Sequence, residues 1–231
     1  MNPEFSYICF CMIANELLSE HLDCLRLTDT VEAAIDFMES QGVCELPIVD
    51  KKKLYNYARI SSLNLLPNKQ QLLSDVIPFN QFSPCAKIDQ HIYEIIPVLA
   101  ANELSVVAVV DQDDQFLGLV DQKRLNKQIT ESLTYRGLGA VLVLKVSDRD
   151  FAPSVFARWI EENGAKILGM MVNTTSEGEL IVNLKLNTTI VKNIVATFQR
   201  QNFKVENVYL SEDFNQDNDR AIDLALKFFD F

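Results

Sequence analysis

Apolar side chains recur in the same order in two stretches of the first half of this 231-residue chain. The stretch from Leu27 to Asp50 returns from Ile88 to Asp111, an offset of 61 residues (88 − 27). Within each stretch the apolar positions follow the i, i+3, i+4, i+7 spacing of a helix with one buried face. They are Val31, Ala34, Ile35 and Met38 in the first copy and Ile92, Ile95, Ile96 and Leu99 in the second.

A short apolar run closed by an aspartate follows each predicted helix: Leu46 to Asp50 and Val107 to Asp111. Such runs are typical of buried strands that end in a turn. A second strand is predicted after each turn, around Tyr55 to Ser61 and Phe116 to Asp121, where we place the offset at 60 because the second turn reads as one residue shorter. The pattern predicts a duplicated αβ unit in which the two copies share a core.

Pro97 conflicts with this pattern because it lies inside the second-copy helix. Proline has no N–H, so the bond to the carbonyl of Tyr93 is lost, at a cost of about 3 kcal/mol in a regular helix. We therefore expect that helix to start late or to kink.

The second half predicts a different order of elements. Gly137 and Gly139 interrupt the pattern, so we place a domain boundary near Arg136. A strand, a helix that starts near Asp148, Asp150 and Pro153, a hairpin, a second helix and a final strand then follow. The strands are Ala140 to Val146, Lys166 to Val172, Glu179 to Leu186 and Phe203 to Leu210, and the second helix carries Ile190, Val191, Ile194, Val195 and Phe198. This βαββαβ order is the ferredoxin-like pattern.

These boundaries give a domain plan. We expect residues 1–11 to be a leader or an artefact of start-site choice, with Met1 and Met12 as alternative starts. The duplicated pair occupies 12–130, with copies at about 12–66 and 73–130. A linker at 131–139 leads to the βαββαβ domain at 140–210, and the acidic tail at 211–231 carries helical spacing at Ile222, Ala225, Leu226 and Phe229.

Charge and composition exclude several classes of partner. The net charge of −11 repels phosphate backbones and anionic lipids. No apolar run approaches the roughly 20 residues of a membrane span, and no basic residues precede one as in a secretory signal. Five cysteines without a CxxC pair and two distant histidines indicate reduced thiols in the cytoplasm and no metal site.

The repeat, with its stretch from Gly42 to Asp50, resembles paired CBS domains, and the βαββαβ half resembles an ACT domain. The order is similar to that of acetoin-utilisation regulatory proteins of the B type. The fold class expected is therefore α/β (α+β), with CBS-type tandem αβ repeats followed by a ferredoxin-like, ACT-type domain.

The CBS resemblance implies two clefts that hold adenosine-containing ligands such as AMP, ATP or S-adenosylmethionine. A glycine, a hydroxyl and a carboxylate at the second strand and following helix supply the contacts in that family. At the offset of 60, the first copy has Ala58, Ser61 and Asn64 there, and Arg59 is an additional phosphate donor or simply a solvated edge residue.

The second copy has Gly118, Asp121 and Arg124 at these positions. A phosphate would meet the negative charge of Asp121, and the ribose would meet a guanidinium that can only donate. A structural salt bridge between Asp121 and Arg124 is an equal alternative to ligand binding.

The ACT resemblance implies an effector loop between the first strand and helix, here with Asp148 and Asp150 and without the glycine that lets a ligand approach. The resemblance also implies that the sheet edges of two such domains pair with each other in a homodimer.

Three functions follow from these observations. The leading hypothesis is a non-catalytic regulatory sensor that binds a small ligand in a CBS cleft and signals through a homodimer, formed by the CBS and/or ACT domains, to an unknown partner protein. The alternative is a scaffold or partner-binding protein whose clefts have lost ligand binding. An enzyme is disfavoured because no nucleophile, base and orienting residue can be assembled from the motifs.

Overall fold

The computed structural model describes residues 12–211, and the predicted tail helix lies outside them. Two compact units divide the chain, Met1–Ile129 and Thr130–Phe231. The helices are α1 (Val31–Gln41), α2 (Ile60–Leu63), α3 (Leu73–Val76), α4 (Ile92–Ala101), α5 (Gln122–Thr130), α6 (Leu133–Arg136), α7 (Pro153–Glu162) and α8 (Lys192–Arg200). The strands are β1 (Glu45–Asp50), β2 (Lys53–Arg59), β3 (Cys85–Lys87), β4 (Val106–Val110), β5 (Phe116–Asp121), β6 (Ala140–Val146), β7 (Ile167–Thr174), β8 (Leu180–Leu186) and β9 (Lys204–Leu210). Ala14–Leu17 and Asp148–Asp150 form 3-10 helices.

The main helices of the two copies, α1 and α4, begin at equivalent residues. Thr30 caps α1 by accepting the N–H of Ala33, and His91 caps α4 together with Glu94 in a capping box. The helix α4 runs through Pro97 and starts at Ile92, so the expectation of a late start is wrong. The cap at His91 fixes the first turn ahead of the proline.

The buried face of each main helix follows the predicted repeat. Three of the four predicted positions are buried in each helix, and the fourth, Ile35 or Ile96, lies at the edge of the buried face. Each copy continues into an antiparallel strand pair, β1 with β2 and β4 with β5. The predicted helix–strand–turn–strand–helix unit is therefore present twice.

The two copies exchange their leading short helices. Ala14 and Leu17 are buried in the core of the second copy, whereas Leu73 is buried in the core of the first. The backbone contacts are equivalent, because the N–H of Ala14 donates to Gln90 O and the N–H of Leu73 donates to Asp29 O, each at 2.9 Å. Unit 1 therefore has two hydrophobic cores, each completed by residues that precede the other copy.

The strand register corrects the offset between the second strands of the two copies. Ile48 pairs with Asn56 and Val109 pairs with Gly118, and both strand pairs have a bulge directly after these residues. The equivalent second-strand residues are thus 62 apart (118 − 56), not 60. The buried Leu63 and Leu125 of the following helices obey the same offset.

Turn geometry explains this correction. In the first copy Lys51 and Lys52 both have positive φ and form a two-residue hairpin turn between Asp50 and Lys53. In the second copy the N–H of Asp111 donates to Gln115 O, and Asp114 has a φ of 59°, as in a three-residue turn. The second turn is therefore one residue longer, where the sequence pattern suggested a shorter one.

Unit 2 has the predicted βαββαβ order and mixed α/β class. Its sheet order is β7-β8-β6-β9, with every neighbouring pair antiparallel, which is the ferredoxin-like arrangement. The helices α7 and α8 contribute Phe156, Trp159 and Phe198 to its core. Two details differ from the prediction: Ile190 precedes α8 and is 82% exposed, and the segment predicted as a linker contains α6.

Candidate functional site

In the second copy, the carboxylate of Asp121 caps a helix. Asp121 is the last residue of β5, and its Oδ1 accepts the backbone N–H of Arg124 at 2.7 Å, in the first turn of α5. The Arg124 guanidinium donates instead to Glu16 O at 3.4 Å. Within residues 12–211, the contact between Asp121 and Arg124 is thus a helix cap and not the salt bridge considered from the sequence.

The space beside Gly118 is filled by the chain itself. A Cβ at Gly118 would lie 3.2 Å from Leu18 Cδ2, and the N–H of Ser19 donates to Leu119 O at 2.7 Å. The segment around Leu18 therefore lies against β5 where the CBS resemblance places a ligand. Sequence reasoning missed this contact because it assigned residues 12–19 to the first copy and predicted no contact between them and the second.

In the first copy, Asn56 takes the position of Gly118. Its side-chain amide donates to Pro78 O at 2.8 Å, and the neighbouring Tyr55 ring packs on Phe79 with centroids 5.3 Å apart. At the offset of 62, Arg59 of the first copy is equivalent to Asp121 of the second, and Ser62 is equivalent to Arg124. The predicted correspondence of Ala58, Ser61 and Asn64 to the family motif is therefore displaced along the chain.

The predicted residues of the first cleft do not converge on one point. Arg59 ends β2 at the N-cap of α2, and its Nη2 donates to the carbonyl of Asn102, 2.6 Å away in the second copy. Ser61 lies on α2 and Asn64 is its C-cap residue, and both are exposed. In the described part of the chain, their side chains make no hydrogen bond.

Glu45 is a buried carboxylate that sequence reasoning missed. It is only 5% exposed, and its Oε1 accepts both the N–H and the hydroxyl of Ser105. Glu45 pairs with Arg59 across β1 and β2, so the two side chains hold the turn at 102–105 of the second copy between them. The available signal was a carboxylate placed directly before the apolar run from Leu46 to Val49.

A cleft of about 580 Å³ opens beside Glu45. Side chains from α4, α5 and the turn that follows α4 line it, so it belongs entirely to unit 1. None of the predicted ligand residues lines it. Its walls are mostly apolar: Ile96, Leu99, Ala100, Leu104, Leu125 and Ile129.

In unit 2, Asp148 and Asp150 form an exposed 3-10 turn ahead of α7. The hydroxyl of Ser147 donates to Asp150 Oδ2 at 2.7 Å and accepts the N–H of Asp150 at 3.2 Å. The helix itself begins at Pro153. The carboxylate and the backbone N–H of Asp150 are therefore both hydrogen-bonded to Ser147 within the local turn.

Two thiols and one phenol have pKa values raised by burial. Burial, reinforced by the Asp23 carboxylate, raises the pKa of Cys24 to about 11, and burial also raises the pKa of Cys85. Burial raises the pKa of Tyr57 as well; its hydroxyl donates to Pro84 O and accepts the N–H of Ala108. These groups stay protonated at neutral pH, so neither thiol is a ready nucleophile.

The described residues form neither a metal-binding cluster nor a membrane-spanning helix. Across residues 12–211, no group of three or more His, Cys, Asp or Glu side chains is placed to hold a metal ion. None of the helices in that range is long and apolar enough to cross a membrane.

Sequence comparison relates half of the chain to a known protein. No protein-family model matches the chain. Over 116 residues it is 25% identical to inosine-5'-monophosphate dehydrogenase from Methanocaldococcus jannaschii, and the match covers 50% of this chain and 23% of that enzyme. The chain therefore matches about a quarter of the length of this curated relative.

Structure comparison finds CBS-domain proteins at low identity. A CBS domain pair/ACT domain protein from Thermotoga maritima is 12% identical with a TM-score of 0.47, covering 52% of this chain and 98% of that one. The CBS domains of a transcriptional regulator from Streptococcus pneumoniae are 16% identical with a TM-score of 0.44, covering 50% and 97%. CBSX2 in complex with AMP is 13% identical with a TM-score of 0.45, covering 52% and 96%.

Proposed function

We propose that the chain is a non-catalytic regulatory protein whose first unit is a CBS-type pair that binds an adenosine-containing ligand at its first copy. The observation that carries the proposal is the charge of Arg59 at the strand–helix junction. The second unit, similar in topology to an ACT domain, and a homodimer would transmit the response. We expect it to act in the cytoplasm, where its thiols stay reduced.

Arg59 is suited to a phosphate because its charge is not neutralised by a close partner. Its one hydrogen bond is to the neutral carbonyl of Asn102, and no carboxylate lies within 4.0 Å of its guanidinium among residues 12–211. The exposed hydroxyls of Ser61 and Ser62 follow within one turn of α2. Guanidinium and hydroxyl donors together are the usual ligands of a phosphate.

The second copy is a poor phosphate site by the same reasoning. Asp121 stands where Arg59 stands in the first copy and would repel an anion, and Leu18 covers Gly118. The geometry therefore favours one ligand for each chain over the two that a symmetric pair would take.

The test is isothermal titration calorimetry of the full chain with AMP, ATP and S-adenosylmethionine. We expect one nucleotide per chain, weakened about tenfold or more by Arg59→Gln, since a charge-assisted bond is lost. Arg26→Gln is the matched control, an exposed arginine in the same copy, and should bind as the unmodified chain does. Ser61→Ala and Ser62→Ala identify which hydroxyl takes part.

The scaffold alternative has its own support. Asn56 and Leu18 fill, in one copy each, the space that a family glycine would leave open. If none of the three compounds produces saturable heat, the sensor proposal is wrong and the scaffold function takes its place. Sedimentation of the same samples measures whether the chain is a homodimer.

A further inference from the structure

The cleft beside Glu45 combines an apolar wall with negative charge. Ile96, Leu99, Leu104 and Leu125 supply much of the wall, while Glu45 and Glu103 supply two carboxylates. No lysine, arginine or histidine is among its lining residues. Its volume of about 580 Å³ falls within the range of small-molecule sites, which are mostly apolar with a few placed polar groups.

The second oxygen of Glu45 has no hydrogen-bond partner among the described residues. Ser105 occupies Oε1 with two hydrogen bonds, and Oε2 makes none within the described residues. In that part of the chain, Ser83 Oγ is the one buried side-chain polar atom without a partner, so Oε2 is not sealed in the interior. Since Glu45 is 5% exposed and lines the cleft, we infer that Oε2 is the oxygen that faces it.

This carboxylate is a departure from the internal repeat. The equivalent position in the second copy is Val106, a fully buried apolar residue. Burying a carboxylate is costly unless it is paired, and the two bonds from Ser105 satisfy only one of its oxygens. A cation bound at Oε2 would complete the pairing.

We propose that the cleft binds a small apolar molecule that carries one protonated amine. The ammonium group donates to Glu45 Oε2, and the hydrocarbon part packs on Ile96, Leu104 and Leu125. Such a ligand buries apolar surface against the wall and gains a charge-assisted hydrogen bond. The site adjoins the Arg59 junction, because Glu45 pairs with Arg59 across β1 and β2, but Arg59 does not line the cleft. The amine titration therefore tests the cleft independently of the nucleotide titration.

The test is calorimetric titration of the full chain with n-hexylamine, with hexanoate and hexan-1-ol as probes of the same length. We expect saturable binding of one hexylamine, weaker binding of the alcohol and none of the carboxylate. Glu45→Gln keeps an oxygen acceptor for Ser105 but removes the charge, and should weaken hexylamine about tenfold or more. Glu39→Gln, at an exposed carboxylate of α1 that does not line the cleft, is the matched control and should change the affinity less than about threefold.

A second variant keeps the test decisive if Glu45→Gln unfolds. Ile96 is 37% exposed and lies on the cleft wall. The Ile96→Trp variant leaves the Glu45 carboxylate in the chain, fills the cleft with a larger ring and should abolish binding. The proposal fails if hexylamine gives no saturable heat, or if a folded Glu45→Gln variant binds it as well as the unmodified chain. It also fails if light scattering shows that Ile96→Trp converts a dimer to a monomer, because a second copy then covers the cleft.

Discussion

The two copies of the repeat share their packing and differ in their chemistry. Both have the same bulge, the same buried leucine in the following helix and the same contact from an exchanged leading helix. At the strand–helix junction, however, Arg59 stands in one copy and Asp121 in the other. Packing tolerates few side chains at a buried position, whereas a junction at the surface accepts opposite charges without disturbing the fold.

The largest expected effect comes from removing a buried leucine that the two copies have in common. Leu63→Ala and Leu125→Ala each remove an equivalent buried leucine, and each should cost about 2–5 kcal/mol in the free energy of unfolding. Because the leading helices interlock the two cores, both variants should lower the midpoint of one common transition in urea. Leu65→Ala, at a position 85% exposed, is the control and should change little. Separate transitions for the two copies would contradict the interlocked core.

An intermediate effect on the free energy of unfolding is expected at the strand–helix junction, where the two copies differ. Asp121→Ala removes the cap of α5 and should cost about 1 kcal/mol, whereas Asp121→Asn should retain most of the stability because asparagine also caps well. Arg59→Ala removes no side-chain cap from α2 and should cost less. Urea denaturation of the three variants measures these differences. Equal losses for Asp121→Ala and Arg59→Ala would show that the cap does not distinguish the copies.

The smallest effect concerns the turn of the second copy. Lys87 Nζ lies 2.6 Å from Asp114 Oδ1, and the hydrogen bond from Lys87 holds the pKa of Asp114 below its ordinary value of 3.8. The same bond raises the pKa of Lys87 above 10.5. The stabilisation is therefore present between these two values, is lost as pH falls through the lowered pKa of Asp114, and is lost as pH rises through the raised pKa of Lys87.

Thermal melts of the unmodified chain and Asp114→Asn check this effect. Any difference in melting temperature at pH 7 should be small, because both groups are solvent-exposed, and it should vanish near pH 2. It should also shrink in 1 M salt, at which charges are screened beyond roughly 3 Å. A difference that grows on acidification would contradict the assigned pKa of Asp114.

Much of the fold could be predicted from apolar spacing. The helical faces at Val31 and Ile92 and the alternation in β8 depend on periods that side-chain burial imposes directly. The offset of the second strands could not be found in this way, because it depends on whether the turn takes two or three residues. Lys51, Lys52 and Asp114 adopt positive φ without the glycine that usually signals such turns.

The site was harder to predict than the fold. Arg59 was identified as a donor, but its bond to Asn102 joins residues 43 positions apart. The contact of Leu18 with Gly118 and the contact of Glu45 with Ser105 are likewise made between segments distant in the chain. No local pattern encodes such contacts, so the chemistry of the clefts depends on tertiary packing that periodicity does not report.

Because the leading helices are exchanged, cutting the chain between the two copies removes part of the hydrophobic core of each. A chain that ends near residue 66 would keep Ala14 and Leu17 but lose the core of the second copy in which they are buried. It would also lack Leu73, which is buried in the core of the first copy. The complementary fragment would have the opposite deficit. Neither half is therefore an autonomous folding unit, although the apolar pattern of each half alone predicts a complete helix–strand–turn–strand–helix motif.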